Sequence, residues 1–270
     1  MLCFPNCKIN LGLNIIGKRE DGYHNLETIF LPIPFTDILE IVISENKIAE
    51  LAITGLPVNT ENNLCLKAYN LLQKDFRDLP PVKIHLHKAI PLGAGLGGGS
   101  SDAAFTLQLL NEKCKLNLNT EQLIDYALQL GSDCPFFIIN KPCFATGRGE
   151  ILETVNINLS DYKILIINPG IHIDTQWAFS KIIPHKPNYA INEIIKQPIE
   201  TWKDQLQNDF EIPVFAEYPE IGKIKNDLYQ QGAMYASLSG SGSSVYGLFA
   251  KENNVECKEE KYFYTLKDFN

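Results

Sequence analysis

Apolar and polar residues alternate along several short stretches of the chain, which is the pattern of a β-strand with one buried face. In residues 82–87, Val-Lys-Ile-His-Leu-His, every second side chain is apolar. Residues 8–13, Lys-Ile-Asn-Leu-Gly-Leu, alternate in the same way within a longer strand predicted over 3–16. Further strands are predicted at 38–43, 48–53, 162–168 and 245–249.

Other stretches repeat their apolar residues every three or four positions, as amphipathic helices do. The spacing predicts helices over residues 64–72, 100–110 and 120–130. Gly131 directly follows the last of these, in the position where glycine commonly ends a helix.

Residues 91–101, here called the glycine loop, lie between the strand at 82–87 and the helix at 100–110. Five glycines fall in the seven positions 93–99, and such a density indicates a backbone with unusual dihedral angles or one that lies against a ligand. A strand, a glycine loop and a helix start together point amides and the positive end of the helix dipole at an anion. Ser100 and Ser101 are predicted to cap the helix and can contact a phosphate or its metal. The alternative is a flexible linker, but linkers are seldom fixed between a strong strand and a strong helix.

Two common phosphate-binding loops do not fit. A P-loop needs Gly-Lys-Ser or Gly-Lys-Thr, and no lysine lies between Lys88 and Lys113. A dinucleotide-binding fold needs an acidic residue that ends a strand about 20 residues past the loop, whereas Glu121 opens a helix. The glycine loop instead resembles the signature of the GHMP kinases, Pro-x-Gly-x-Gly-Leu-Gly-Ser/Gly-Ser/Gly-Ser-Ser, which wraps the ATP phosphates. The resemblance implies ATP contacts from Pro91, Leu92, Gly93, Ala94, Gly95, Leu96, Gly97, Gly98, Gly99, Ser100 and Ser101.

Composition narrows the possible partners. The chain has 270 residues and a net charge of −8, from 24 Lys and Arg against 32 Asp and Glu. Without a basic tract, it is predicted not to bind nucleic acid. The odd number of cysteines, seven, and the lack of a Cys-x-x-Cys pair argue against disulfides or a zinc site and favour reduced thiols in the cytoplasm. No apolar run reaches the ~18 residues of a membrane helix, and the N-terminus lacks a signal-peptide layout, so no membrane is expected.

The first strand brings a lysine and an asparagine onto one face. Lys8 and Asn10 alternate with apolar residues, which on pattern alone favours a solvated sheet face, but beside the glycine loop Lys8 is a candidate phosphate contact. Residues 19–30 then read Arg-Glu-Asp-Gly-Tyr-His-Asn-Leu-Glu-Thr-Ile-Phe. With the first strand, this segment is similar to the 4-diphosphocytidyl-2-C-methyl-D-erythritol kinases, GHMP kinases of the non-mevalonate isoprenoid pathway. That resemblance implies substrate contacts from Asn10, Tyr23 and His24, the last two at the cytidine end. An exposed turn with incidental aromatics is the alternative.

A carboxylate lies just past the end of the helix at 120–130. Asp133 precedes a proline and an apolar run, so it is expected to be partly buried, and it can simply cap the next turn. The family carries Gly-Ala-Asp-Val-Pro-Phe-Phe here, which implies that Asp133 is the catalytic base, with Ser132 and Cys134 as small departures. By the same resemblance, Lys8 keeps Asp133 ionised and stabilises the charge on the moving phosphoryl group.

Further family motifs lie on both sides of the glycine loop. Asn63 and Lys67 match residues that border the adenine pocket, although Asn63 fits a helix cap equally well. Residues 237–244, here called the C-terminal loop, form a second glycine-serine run that matches the third GHMP motif, which closes over the active site. Asp174 and Phe179 stand where the family has Ser and Tyr, which leaves the contacts there open.

The resemblance extends from residue 8 to residue 249 and implies an α+β fold, the two-domain GHMP kinase fold. The ATP-binding domain at 1–155 would be like domain 2 of ribosomal protein S5, and the domain at 156–270 would be ferredoxin-like, with the active site between them. The implied activity is the ATP-dependent phosphorylation of the 2-hydroxyl of 4-diphosphocytidyl-2-C-methyl-D-erythritol. Mg²⁺ would bridge the phosphates, with Ser101 as a possible ligand.

Two other functions are weighed against this one. A kinase or decarboxylase acting on mevalonate-type acids would need a basic site for a carboxylate, and the sequence offers no dedicated candidate. A non-catalytic nucleotide sensor on the same fold would lack the base or the lysine, yet both Asp133 and Lys8 are present. The sequence therefore favours the kinase of the cytidyl substrate.

Overall fold

The structure, a computed structural model, describes residues 1–58 and 62–269. Its strands are β1 (Leu2–Cys3), β2 (Asn6–Lys18), β3 (His24–Thr36), β4 (Ile38–Ile43), β5 (Glu50–Gly55), β6 (Val82–Lys88), β7 (Cys143–Thr146), β8 (Ile151–Thr154), β9 (Tyr162–Asn168), β10 (Tyr235–Leu238), β11 (Val245–Ala250) and β12 (Phe263–Asp268). Its α-helices are α1 (Leu64–Asp75), α2 (Gly98–Lys113), α3 (Thr120–Leu130), α4 (Cys134–Ile139), α5 (Thr175–Ser180), α6 (Ile191–Ile194), α7 (Trp202–Gln205), α8 (Glu211–Glu217) and α9 (Pro219–Gln230). A short 3-10 helix covers Ile199–Thr201.

The first of two compact units consists of Met1–Cys7, Phe35–Leu92 and Gly97–Lys141. Its sheet has the strand order β1-β4-β6-β5, in which β4 runs antiparallel to β6 and β5 runs parallel to it. Helices α1 to α4 pack on one another. The apolar side chains of β6 are buried and the polar ones between them are exposed, as the alternation predicted. Strand β6 therefore leads from the core of this unit directly into the glycine loop.

The second unit consists of Lys8–Pro34, Gly93–Leu96 and the chain from Pro142 onward. It contains the sheet β2-β3-β7-β8, apart from residues 6–7 of β2 and 35–36 of β3, and the antiparallel sheet β10-β11-β9-β12. Helix α9 packs on β10 and β11. A core of buried apolar side chains joins these elements, with members such as Leu13, Leu165, Ile224 and Val245.

The mixture of helices with largely antiparallel sheets agrees with the predicted α+β class. The predicted division near residue 155 cuts the chain once, whereas each compact unit is assembled from several segments. Strands β2 and β3, early in the chain, share a sheet with β7 and β8. The second unit therefore combines an early segment of the chain with its later part. The boundary itself stays a prediction.

Two local expectations differ from the structure. The alternation in residues 8–13 favoured a solvated face on the first strand, but residues 6–15 of β2 are buried on both faces. Two of the polar side chains there, Lys8 and Asn10, are accommodated because they hydrogen-bond to each other, as described below. The strand predicted at 48–53 is found at Glu50–Gly55, because its pairing with β6 sets its limits.

Within residues 1–58 and 62–269, no helix combines the length and the apolar character that crossing a membrane requires. The seven cysteines of this part of the chain form no disulfide. The prediction of reduced thiols agrees with this.

Candidate active site

The glycine loop takes a backbone that glycine adopts far more readily than other residues. Gly93, Gly95 and Gly97 have φ angles of 60°, 77° and 70°, all in the left-handed region. Left-handed residues also occur in the concave anion sites formed by backbone amides. Phosphate binding by the loop stays a prediction.

The C-terminal loop packs against the glycine loop within the second unit. The N–H of Ser244 donates to the carbonyl of Ala94 at 3.1 Å. The Oγ of Ser239 donates to the carbonyl of Gly95 at 2.8 Å. A Cβ on Gly95 would lie 1.9 Å from the carbonyl oxygen of Ser239, so this approach needs glycine. The two glycine-serine motifs of the sequence are thus in direct contact.

Helix α2 begins at the end of the glycine loop. Gly97 is its N-cap and Gly98 its first residue, and no side chain caps it. Ser100 and Ser101 lie inside the first turn, so the prediction that they cap the helix is wrong. The left-handed backbone of Gly97 starts the helix three residues earlier than a cap at Ser100 would.

Gly98 and Gly99 are glycines for different reasons. A Cβ on Gly98 would lie 2.9 Å from Cγ2 of Ile90, so packing requires glycine there. A Cβ on Gly99 would meet only Cδ1 of Leu64 at 3.8 Å, which is an ordinary contact, on a helical backbone that favours alanine. Folding therefore does not explain Gly99, whereas a ligand close to this turn does. This open cradle at a helix N-terminus fits a phosphate group.

Lys8 and Asn10 are buried side by side in the second unit. The Nζ of Lys8 donates to Oδ1 of Asn10 at 2.6 Å, and Nδ2 of Asn10 donates to Oγ1 of Thr28 at 2.9 Å. The backbone N–H of Lys8 donates to the carbonyl of Leu96 at 2.9 Å, so β2 carries the lysine alongside the glycine loop. The prediction that Lys8 and Asn10 share a face is confirmed, but the solvated-face interpretation is wrong because both side chains are buried.

Tyr23 and His24 lie where a polar turn leads into β3. Tyr23 is 54% exposed, and the guanidinium carbon of Arg148 lies 4.8 Å from its ring centroid. His24 is half-buried and stacks on Phe179, with ring centroids 5.0 Å apart. Burial, and secondarily the charge of Lys18, lower the pKa of His24 below its ordinary value. The imidazole is therefore neutral near pH 7 and has one donor and one acceptor nitrogen.

Asp133 lies in the first unit, between the end of α3 and the start of α4. It is half-buried and its side chain does not cap α4, so the capping interpretation is wrong. The side chain of the next residue, Cys134, hydrogen-bonds to that of Ser100, which ties this segment to the first turn of α2. Burial raises the pKa of the Cys134 thiol to about 12, although this hydrogen bond opposes the shift. The thiol therefore stays protonated at neutral pH, and the role of Asp133 as the base stays a prediction.

Asn63 caps helix α1. Its Oδ1 accepts a hydrogen bond from the N–H of Cys65 at 2.8 Å, which confirms the capping alternative. Lys67 is exposed one turn further along the helix. A role for either residue in an adenine pocket stays a prediction.

Two residues have roles that the sequence did not reveal. Nδ2 of Asn208 donates to the carbonyls of Leu238 and Gly240 at 2.8 and 2.9 Å, so one buried side chain fixes the start of the C-terminal loop. Asp174, where the family has Ser, accepts the N–H of Trp177 at 2.6 Å and caps α5.

The described residues offer few ligands for a divalent metal. This part of the chain holds no group of three or more His, Cys, Asp or Glu side chains that could bind one. Ser101, the predicted ligand, is fully buried, and its Oγ has no hydrogen-bond partner among these residues. Mg²⁺ in kinases is commonly held by one or two protein oxygens together with nucleotide phosphates and water. The donor set fits that mode, and Ser101 as a ligand stays a prediction.

Family models match both halves of the chain, the GHMP kinases N terminal domain at residues 63–141 and the GHMP kinases C terminal domain at residues 190–262. The chain therefore belongs to the GHMP kinases. It is 55% identical to the 4-diphosphocytidyl-2-C-methyl-D-erythritol kinase of Bacteroides thetaiotaomicron, over 94% of this chain and 94% of the relative. The protein of the same name from Bacteroides fragilis is 52% identical to this chain over 94% of each chain. The one from Parabacteroides distasonis is 50% identical over 97% of this chain and 96% of the relative.

Solved structures agree with this relationship. A crystal structure of 4-(cytidine 5'-diphospho)-2C-methyl-D-erythritol kinase superposes with a TM-score of 0.79 at 30% identity, and the match covers 92% of this chain and 90% of that one. The mevalonate kinase of Methanococcus jannaschii superposes with a TM-score of 0.73 over 100% and 98% of the two chains. At 15% identity, the second match shows the fold alone. The predicted GHMP kinase fold is confirmed.

Proposed function

We propose that this kinase transfers a phosphoryl group from ATP to the 2-hydroxyl of 4-diphosphocytidyl-2-C-methyl-D-erythritol. The observation that carries the proposal is an identity of 50–55% over nearly the full length to proteins named for that substrate. The residues that the reaction needs are present at the matching positions, and the geometry around each supports its role.

The glycine loop holds the triphosphate in this proposal. Left-handed glycines at alternate positions are typical of loops whose amides bind anions, and Gly99 leaves space at the start of α2. Phosphoryl transfer depends on positioning and charge neutralisation more than on covalent chemistry. Mg²⁺, when bound, supplies further neutralisation of the β- and γ-phosphate oxygens, with the Oγ of Ser101 as a candidate protein oxygen.

Asp133 and Lys8 carry the transfer step. Asp133 accepts the proton of the 2-hydroxyl, which makes the oxygen a better nucleophile toward the γ-phosphorus. Lys8 stabilises the negative charge on the group in transit. Asn10 accepts a hydrogen bond from the Nζ of Lys8, and Thr28 accepts one from Asn10, so the ammonium is oriented before substrate arrives.

Tyr23 and His24 recognise the cytidine end. The exposed ring of Tyr23 offers a face for stacking. The neutral imidazole of His24 can donate to and accept from the edge of a pyrimidine. A site built on hydrogen bonds rejects compounds that lack the partner much more strongly than an apolar pocket does. The cytidyl group should therefore be essential for turnover.

The proposal is tested by ADP release with three acceptors at equal concentration. The cytidyl substrate should be phosphorylated once, as mass spectrometry would detect. 2-C-methyl-D-erythritol 4-phosphate, which lacks the cytidyl group, should be at least ~100-fold poorer in kcat/KM, in line with hydrogen-bond discrimination. Mevalonate should give no ADP above background. Equal activity on the truncated compound would refute cytidine recognition, and turnover of mevalonate alone would place the chain among kinases of mevalonate-type acids.

A further inference from the structure

A buried ion network lies under the first turn of α2. Lys88, the last residue of β6, donates from its Nζ to Oδ2 of Asp37 and to Oδ2 of Asp102, the latter at 2.7 Å. None of the three residues is more than 1% exposed. Oδ1 of Asp37 also accepts the N–H groups of Ala89 and Ile90 at 2.6 and 2.9 Å. The ammonium group of Lys88, at the end of β6, thus links Asp37, just before β4, to Asp102 in helix α2.

Stability of the fold does not explain why these three charged residues are buried together. Two carboxyl groups share one ammonium in the interior, and burial raises the pKa of Asp102 well above its ordinary value because a buried carboxylate is poorly solvated. Oδ1 of Asp102 is buried without a hydrogen-bond partner among the described residues. Alanine is also a better helix former than aspartate. Groups that oppose stability in this way are typical of functional sites.

The network contacts the chain at both ends of the glycine loop. Ala89 and Ile90, whose N–H groups Asp37 holds, lead directly into the loop, and Asp102 is the first residue after it. A Cβ on Gly98 would lie 3.3 Å from the Nζ of Lys88. The ammonium therefore lies directly beneath the first residue of α2, and both ends of the loop are tied to one lysine side chain.

We propose that Lys88, Asp37 and Asp102 position the glycine loop for the nucleotide phosphates, and that Asp102 is the link that holds the start of α2. The inference rests on the proposed function only in taking ATP as the nucleotide. Because the three side chains are buried, they act through the backbone of residues 97–101 and are positioning residues. A misplacement of about 1 Å in such a backbone is enough to lower binding or rate by one to two orders of magnitude.

The test separates positioning from stability at Asp102. Asp102→Ala removes the link but leaves Lys88 paired with Asp37, so no buried charge is left uncompensated and the variant should fold with little change in its thermal midpoint. Its Kd for ATP, by calorimetric titration, should rise about tenfold or more, while KM for the cytidyl substrate changes less than about twofold. Asp102→Asn keeps an oxygen acceptor of the same size for Lys88 and should bring the Kd for ATP back to within about threefold of wild type.

Thr106→Val is the matched control. Thr106 lies one turn further along α2, donates to the backbone carbonyl of Asp102 at 2.7 Å and also hydrogen-bonds to the side chain of Cys65. Its loss should lower the thermal midpoint and leave the Kd for ATP within about twofold of wild type, because a buried hydrogen bond is lost while the network stays intact.

Three results would overturn the positioning role. They are wild-type ATP affinity in Asp102→Ala, failure of that variant to fold, and an equal loss of ATP affinity in Asp102→Ala and Asp102→Asn. A wild-type protein that binds no ATP would refute the proposed function and the positioning role with it. If the wild type binds ATP but does not phosphorylate the cytidyl substrate, only the proposed substrate fails, and the comparison of Kd values still decides on positioning.

Discussion

His24 stacks on Phe179 with ring centroids 5.0 Å apart and ring planes 16° from parallel. Phe179 in turn meets the ring of Phe210 edge-on at 4.9 Å, and Phe210 belongs to the core of the second unit. The core therefore holds the orientation of the imidazole. A ring that is already fixed can present its nitrogens to a ligand with little further loss of conformational entropy.

Replacing His24 should change KM for the cytidyl substrate and leave KM for ATP unchanged. His24→Ala removes a hydrogen-bonding edge, and we expect KM for the cytidyl substrate to rise about tenfold or more with KM for ATP nearly unchanged. Steady-state kinetics with each substrate varied in turn measures this. His87→Ala, which removes an exposed histidine of β6, is the control and should change neither value. A defect on the ATP side in His24→Ala would contradict the assignment.

The pH dependence of KM follows from the lowered pKa of His24. Because burial and then Lys18 lower that pKa below its ordinary value, the ring is neutral at pH 7 and above and gains a proton only in more acidic solution. Protonation removes its acceptor nitrogen. KM for the cytidyl substrate should thus be flat above pH 7 and rise in acid. His24→Gln, which keeps a donor and an acceptor but does not titrate, should lose this rise; an unchanged profile would assign it to another group.

Asp133→Asn tests the base. The variant should fold and bind ATP as the wild type does, because the side chain does not cap α4, but kcat should fall by roughly 10²–10⁴. Asp125→Asn on the exposed face of α3 is the matched control and should keep full activity. Turnover of Asp133→Asn within about threefold of wild type would make Asp133 structural.

Gly99→Ala should strengthen the fold and weaken the nucleotide site. The added methyl group meets only Leu64, at 3.8 Å, and alanine in a helix is favoured by up to about 1 kcal/mol over glycine. The thermal midpoint should therefore rise by about 2 °C, while the added methyl group blocks the approach of a phosphate and raises the Kd for ATP. Gly98→Ala provides the contrast, since its methyl group would clash with Ile90 and lower the midpoint. Unchanged ATP binding in Gly99→Ala would exclude this turn from the phosphate site.

Asn208→Ala should destabilise the second unit. It removes hydrogen bonds to the carbonyls of Leu238 and Gly240 and to the N–H of Phe210. We expect the free energy of unfolding in urea to fall by about 2–4 kcal/mol, since three hydrogen bonds are lost in a largely buried region. Asn192→Ala is a milder comparison, because Oδ1 of Asn192 has no hydrogen-bond partner among the described residues. An equal loss in both variants would contradict this account.

Much of the fold and the phosphate loop could be predicted from the sequence because their signals are local. The alternation in β6 gave its buried face, and the glycine density at 93–99 gave a loop with left-handed residues. The predicted start of α2 is wrong because that prediction also relied on a local signal. A serine is a visible capping signal, whereas the left-handed angle at Gly97 depends on the whole loop.

Contacts between distant parts of the chain could not be predicted. Nothing in the alternation of β2 shows that Lys8 and Asn10 are buried, because their burial depends on strands and loops that come later in the sequence. Asp37, Lys88 and Asp102 were not identified because no local period connects them. The pairing of His24 with Phe179 was likewise invisible, although both residues lay in segments that matched the family.

The contact of Gly95 with the carbonyl of Ser239 has a consequence for recombination between family members. A chimaera whose crossover lies anywhere between the glycine loop and the C-terminal loop inherits the two partners from different parents. Because the gap at Gly95 has no room for even a methyl group, small differences in the path of either parental loop become steric conflicts. Libraries of chimaeras should therefore take the glycine loop and the C-terminal loop from the same parent, although the two segments are separate in the gene.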